Sequence, residues 1–465
     1  MKKKKIIAIF LTLVVANVLT NTVISSKIEK EDNAYKLNIL EGGWIEEING
    51  VKILHINGSH YEMGFQIGGL LSEEIDIAHR ILLNMVGEYG YTSDDLDNIY
   101  SKMENYIPED YKQEMQGMAD GSGISYSQFC RVLTFDTIFH DISCCGWSAW
   151  DSATVDNKLI HVSSLDLPLQ FMYDDQTDTY MHDYQMLIVR QPDNGYASLY
   201  PFVPGVMVGN TGGINEKGIS VSSMVSWSFL DMQESGIPHC IRMSMVLDST
   251  DNADDAIEIL NSNKDKGCNF ILSDSKTGIG YAIEQSANHF HFGTWNDEGD
   301  INSPWGEIEN VVRRTNFFVY PSMAEIQREI YNPQNFFEYL FNNKIRSILG
   351  YYDSFEKYIS WNYYIPVKHY ESITTGITNQ WGNIGLNDTI SNLRDIYSGE
   401  LMDPMTKFFV KDILNYYKET GFHQWVACPE TGEMVITFAN GEYSAENEQT
   451  EIHYFNFYDL LNGEP

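Results

Sequence analysis

Two cysteines stand side by side in Ser143-Cys144-Cys145-Gly146-Trp147-Ser148-Ala149-Trp150, where helical sequence gives way to strand-like alternation. Adjacent cysteines rarely bridge each other, because the ring they would close is strained. One of the pair is therefore a candidate for reactivity, set against the plainer reading of two small buried residues in a core. A cysteine that opens a strand carries its thiol and its backbone amide to a sheet edge. If the bond before it breaks, its α-amine, with an ordinary pKa of about 7.7–8.0, becomes a base beside its own thiol. That amine can take the thiol proton without a histidine, as N-terminal-amine catalysis requires.

The elements that must position this pair follow from pattern. Gly42 to Ile56 alternates like a strand, most clearly from Val51 to Ile56. Ser59 and Glu62 have capping-box spacing, which predicts a helix whose Gly64-x-x-x-Gly68 pair permits close packing against a neighbour. Helices continue to about Ile138, with breaks near Tyr106-Ile107-Pro108 and Gly121-Ser122-Gly123. Strands are predicted at Trp147 to Trp150, Leu159 to Leu165, Gln185 to Arg190 and Ile219 to Met224. A helix at Ala253 to Leu260 and strands at 269–273 and 280–284 come next. Helices return between Met323 and Ile359, and strands at Gln424 to Ala427 and Met434 to Phe438 close the chain. Helices, strands, helices, strands in that order argue for an α+β layered domain rather than a βαβ array.

Composition narrows the function classes. With 465 residues, 43% of them hydrophobic, the chain can bury a large core. Its formal charge of −35 is spread along the sequence, a field that repels phosphate backbones and so argues against a nucleic-acid partner. His289-x-His291 lacks a third ligand nearby, so no metal is expected, and no glycine-rich run has a nucleotide-binding pattern. The aromatic cluster at 350–364 suits core packing better than an acyl pocket. Lys2 to Lys5 followed by the apolar run Ile6 to Leu19 reads as a leader, too short for an ordinary membrane span. Residues 1–28 are therefore a signal peptide or an N-terminal anchor, and the protein is expected to be secreted or held at the cell surface. Any membrane contact would come only through that anchor.

The stretch Cys144 to Thr154, with Asp156-Asn157-Lys158-Leu159-Ile160 and Leu165-Asp166 after it, resembles the peptidase C45 family. These are the autoproteolytic acyltransferases and hydrolases akin to the penicillin-biosynthetic acyltransferase, with choloylglycine hydrolases more distant. Gly58 to Gly68, Gly212-Gly213-Ile214-Asn215-Glu216-Lys217-Gly218-Ile219, Asn269 to Asp274 with Ala282-Ile283-Glu284, and Arg314-Thr315-Asn316 resemble its other motifs in the same order. The resemblance covers roughly residues 42 to 320.

It implies an Ntn-hydrolase αββα four-layer sandwich and self-cleavage between Ser143 and Cys144. A helical segment, 32–143, becomes one fragment, and a catalytic segment, 144–465, the other, the two staying associated. Cys144 matches the nucleophile, with Cys145 the alternative. Asp166 matches a strand-end aspartate that would hold the freed α-amine. Asn316 is a candidate oxyanion donor, and Asn215 and Arg314 are candidates to line the site. No cofactor is implied. The substrate would be a small-molecule acyl amide, linear and non-peptide. The alternatives are a lipid hydrolase, phospholipase B-like or ceramidase-like, and a binding protein that kept the fold. Two departures bear on substrate contacts. Ser163 stands where relatives often carry Arg, and Ser222-Ser223-Met224-Val225-Ser226 stands where the strand often brings an Asn near its end.

Overall fold

A computed structural model describes residues 35–138, 143–206, 212–327, 367–397, 401 and 421–463, apart from single positions at 168, 227, 229, 230, 232, 234, 304 and 368. The leader, the aromatic cluster at 350–364 and most of the helical stretch expected between Met323 and Ile359 lie outside the described residues.

The chain opens with strands β1 (Tyr35–Leu40), β2 (Gly43–Ile48) and β3 (Val51–Gly58). Six helices follow: α1 (His60–Leu70), α2 (Ser72–Glu88), α3 (Ser93–Met103), α4 (Glu109–Ser122), α5 (Tyr126–Leu133) and α6 (Phe135–Ile138). Next come β4 (Ser143–Ala149), β5 (Ile160–Asp166), β6 (Met186–Pro192), β7 (Ser198–Phe202), β8 (Gly213–Asn215) and β9 (Ile219–Val225). Helices α7 (His239–Ser249) and α8 (Ala253–Leu260) lead to β10 (Cys268–Asp274), β11 (Ile279–Gln285), β12 (Phe290–Gly293) and β13 (Val311–Arg314). Helix α9 (Leu386–Tyr397), strands β14 (Gly421–Cys428), β15 (Glu433–Phe438) and β16 (His453–Asn456), and a short last helix finish the fold.

The strands form two large sheets, one of ten strands in the order β1-β2-β3-β6-β7-β8-β9-β10-β11-β12 and one of six in the order β13-β4-β5-β14-β15-β16. Their alternating side chains meet face to face, Cys144, Trp150 and Val312 against Met224, Ile271 and Ala282. The other face of the ten-stranded sheet is covered by α1 to α5, α7 and α8. Helix α9 puts Ile390, Leu393 and Ile396 on the other face of the six-stranded sheet. The fold is α+β, a four-layer αββα sandwich, as the family resemblance implies.

Local sequence explains the placements. Ser59 and Glu62 cap α1 reciprocally, as their spacing predicts. Gly64 and Gly68 on α1 face Gly117 and Gly121 on α4 so closely that a Cβ on any of the four would strike the partner's backbone. The N-terminal segment is more than helical. Its three strands enlarge the ten-stranded sheet, and β3 pairs in parallel with β6 of the later segment. Arg190 on β6 pairs with Glu114 of α4 at 2.8 Å and Asp248 of α7 at 3.1 Å, so burial is shared across the same junction.

Candidate active site

Strand β4 begins at the proposed junction, and its alternation sends the two cysteines to opposite faces. Cys144 points between the sheets with Met224 and Val312. Cys145 points the other way, into the cluster beneath α9. Both are almost wholly buried, and all six cysteines are free. The sheets can close beside Cys144 because residue 146 is glycine. A Cβ there would meet Ser222 Oγ and Met224 Sδ at 3.2 Å.

Cys144 lines a cavity of about 80 Å³. Leu165, Ser163, Ser223 and Val225 contribute from the strands, and Met115, Met118, Phe129 and Leu133 from the helices before the junction. Burial pushes the Cys144 thiol well above its ordinary range, and the Asp166 charge adds to that. The Asp166 backbone N–H and the Asn316 side chain oppose the shift. In the intact chain this sulfur is a neutral thiol, and the thiolate is the nucleophilic form.

Asn316 meets Cys144 differently from the oxyanion-donor expectation. Its Oδ1 accepts from the Cys144 backbone N–H at 2.7 Å, while its Nδ2 donates to the Val225 carbonyl at 2.8 Å. It therefore faces the nitrogen that cleavage would free. Asp166 also departs from expectation. Its carboxylate accepts from Ser164 Oγ and Tyr397 Oη, both at 2.7 Å, on the Cys145 face of the sheet. Tyr397 Oη lies 3.4 Å from Cys145 Sγ. Burial pushes the Asp166 carboxyl up to about 7, although these two hydroxyls work to lower it.

Arg314 and Asn215 do not line the Cys144 cavity. Arg314 is buried against Glu284 at 2.7 Å and Asp300 at 3.0 Å. Glu284 also accepts from the Val319 and Tyr320 amides, and Asn269 Nδ2 donates to the Thr315 and Phe317 carbonyls. Arg314 thus helps clamp the loop that carries Asn316. Asn215 spends its amide on a turn, accepting from Lys217 and Ile219 and donating to the Leu247 and Thr250 carbonyls. Sequence reasoning missed Tyr397, which lies 231 positions from Asp166 and carries no local motif.

The departures have places too. Ser163 pairs with Gly146 and lines the cavity, where it offers a hydroxyl and no cation. Ser222 is held by His161, which bridges it at 2.9 Å to Ser273 at 2.8 Å and so ties the two sheets together. His289 and His291 pair with separate acids, Asp231 and Asp297.

Residues 173–358 match the family model described as acyl-coenzyme A:6-aminopenicillanic acid acyl-transferase. Over that segment the chain is similar to this acyl-transferase family. The matched segment contains Asn215, Arg314 and Asn316, and begins after Cys144 and Asp166. An uncharacterized protein of Archaeoglobus fulgidus is 24% identical over 60% of this chain and 52% of its own length. Protein dcd1B of Dictyostelium discoideum is 29% identical over 27% of this chain and 29% of its own length, and protein dcd1A is 24% identical over 51% and 59%. The chain thus spans from under a third to under two thirds of the relatives it matches. Penicillin V acylase from Agrobacterium tumefaciens has a solved structure similar at a TM-score of 0.33 and 11% identity, covering 67% of this chain and 86% of that one.

Proposed function

We propose that the chain is a self-activating cysteine hydrolase or acyltransferase that acts on a linear, non-peptide amide. One placement carries the reading: the Cys144 thiol lines a mainly apolar cavity while its backbone nitrogen is held by Asn316. Activation begins when the Cys144 sulfur attacks the Ser143 carbonyl carbon. The Ser143–Cys144 peptide bond breaks, a thioester forms, and the nitrogen leaves as the Cys144 α-amine. Water then cleaves the thioester, leaving a carboxylate on Ser143 and a free thiol on Cys144.

Asn316 Oδ1, which accepts from the Cys144 backbone N–H, would accept a hydrogen bond from that amine, whose lone pair can then take the thiol proton. In turnover the sulfur attacks the substrate's acyl carbon, and the amine part departs with a proton. Water or a second amine then takes the acyl group. The α-amine carries the protons in both halves, while the Asp166 carboxylate is held by Tyr397 and Ser164. The fragments stay together because β3 and β6 share a ladder and helices before the junction wall the cavity. Export through the leader belongs to the same reading, with the enzyme working outside the cytoplasm.

An acyl-lipid hydrolase would use the same nucleophile. A cavity of about 80 Å³ suits a short acyl group better than a lipid chain; an engineered apolar cavity that admits benzene measures about 150 Å³. The deciding experiment is intact mass with N-terminal sequencing, beside Cys144→Ala. Two fragments with a new terminus at Cys144, and one uncut chain in the variant, are expected. An uncut wild-type chain that ignores thiol reagents would leave the binding-protein alternative standing.

A further inference from the structure

The cavity beside Cys144 has a polar end. Cys144 enters it from the six-stranded sheet, whereas Asp136 and His239 enter from the helix layer across the ten-stranded sheet. Asp136 lies on α6, and His239 opens α7, whose ring stands 6.4 Å from that of Phe270 on β10. Met115, Met118, Phe129 and Leu133 add apolar side chains to the wall of the same cavity.

The polar end is buried and incompletely satisfied. Asp136, His239 and Lys266 are 8%, 3% and 3% exposed. His239 Nδ1 lies 2.9 Å from Asp136 Oδ2 and Lys266 Nζ lies 3.8 Å from Asp136 Oδ1. Even so, Asp136 Oδ2, His239 Nδ1 and Lys266 Nζ all lack a partner in hydrogen-bond geometry. Buried polar atoms without such a partner are uncommon and call for a cause. Here two of the three residues face a cavity.

We infer that this end of the cavity holds a hydroxyl at the far end of the substrate's acyl group. The inference rests on the reading of Cys144 as nucleophile and adds the substrate class. The sign of the ligand follows from charge balance. Burial works to raise the Asp136 carboxyl, but His239 and Lys266 beside it bring it down to about 2, so it is an anion that can only accept. Lys266 and Arg242 stand against Asp136 and Asp265 in this buried group, with Arg242 3.4 Å from Asp265. These two cations and two aspartates balance one another, so a ligand ammonium or carboxylate would add a buried charge with no counter-ion among those four, which is costly. A hydroxyl adds none, and its proton can go to Asp136 Oδ2. A wholly apolar acyl chain would leave that oxygen with only the poorly aligned His239 contact at 2.9 Å.

The test measures binding and turnover separately. Uncut Cys144→Ala protein is titrated calorimetrically with pentanamide and hexanamide and with their terminal-hydroxyl counterparts. At least about tenfold tighter binding of one hydroxylated amide is expected, because a site built to hydrogen-bond a hydroxyl rejects the analogue without it. The same comparison is repeated with Asp136→Leu and Lys266→Met added together, so that no lone charge is left buried. Circular dichroism checks folding, and Asp136→Ala with Lys266→Ala serves if that variant does not fold. The preference should vanish. Equal binding of both series to the protein with Asp136 intact overturns the inference, as does a preference that survives the change at Asp136. Turnover of the same amides by wild type tests the nucleophile by itself. Wild type hydrolysing both series equally, with no binding preference, sinks the hydroxyl site and leaves the enzyme. A binding preference without turnover does the reverse.

Discussion

The two faces of β4 make an instructive contrast. On the inner face Cys144 sees Asn316, a cavity and the far sheet. On the outer face, one residue on, Cys145 sees Tyr397, and through it Asp166 and Ser164. Burial pushes both thiols well up, so ordinary acidity does not distinguish them. Access does, since only Cys144 lines the cavity. Strand alternation sends neighbours to opposite faces, so a one-residue slip would exchange their roles. On the proposed reading, chemistry and scaffold are separated by a single peptide unit.

The largest effect should come from breaking that contrast directly. Cys144→Ala should abolish self-cleavage and lower amide turnover by at least about 10³-fold, the scale of losing a nucleophile. Cys145→Ser should leave cleavage intact, because its side chain touches only the Tyr397 side. Fragment masses and single-turnover rates for the two variants check this. A Cys145→Ser chain that stays uncut, with Cys144→Ala cleaving normally, would exchange the faces.

Next comes the clamp behind the inner face. Arg314→Met leaves Glu284 and Asp300 buried without their cation, a change that typically costs about 3–5 kcal/mol. Urea unfolding should show that loss. Cleavage should slow as well, because the loop carrying Asn316 loses its anchor. Asn316→Leu should also lower the urea midpoint, at a cost of about 1–3 kcal/mol for each of the Cys144 N–H and the Val225 carbonyl left without a partner. It should cut the cleavage rate by about 10²-fold, the cost of misplacing a reacting group.

The sequence exposed some of this and hid the rest for physical reasons. Local rules reached α1, whose capping box and paired glycines lie within ten residues of each other, and α8, whose bounds agree with the pattern. They also reached β4 and β5, because alternation and a turn are short-range signals. Strands β7 and β8 escaped notice. β8 is only three residues long, and Ser198 to Phe202 is buried throughout and so does not alternate. The site divided likewise. Cys144 and Asn316 stood in motifs, and the structure brings them into contact. The Tyr397–Asp166 and Asp136–His239 contacts join residues over a hundred positions apart, and no spacing rule spans that. Asp166 marks the boundary, since its place at a strand end was readable and the face its carboxylate took was not.

The smallest effect should sharpen the outer face. Burial holds Asp166 near 7, against an ordinary aspartate pKa of about 3.9. The folded chain therefore keeps this proton over a range where the unfolded chain has lost it. Unfolding free energy gains a term that falls as pH rises from about 4 to about 7 and is flat beyond, because the native state binds more protons there. Glu446, buried and raised to about 8 with Asp166 contributing, adds a slope of the same sign. Other carboxyls, such as Asp174 lowered by Arg80, slope the opposite way, so the informative quantity is a difference. Subtracting the Asp166→Asn urea series from the wild-type series should leave a downward slope between pH 4 and 7. Tyr397→Phe should move its upper end to higher pH, since the tyrosine hydroxyl is one of the two groups holding the carboxyl down. A flat difference would mean that Asp166 ionises normally. The outer face would then hold an ionised carboxylate at neutral pH, still held by Tyr397 and Ser164.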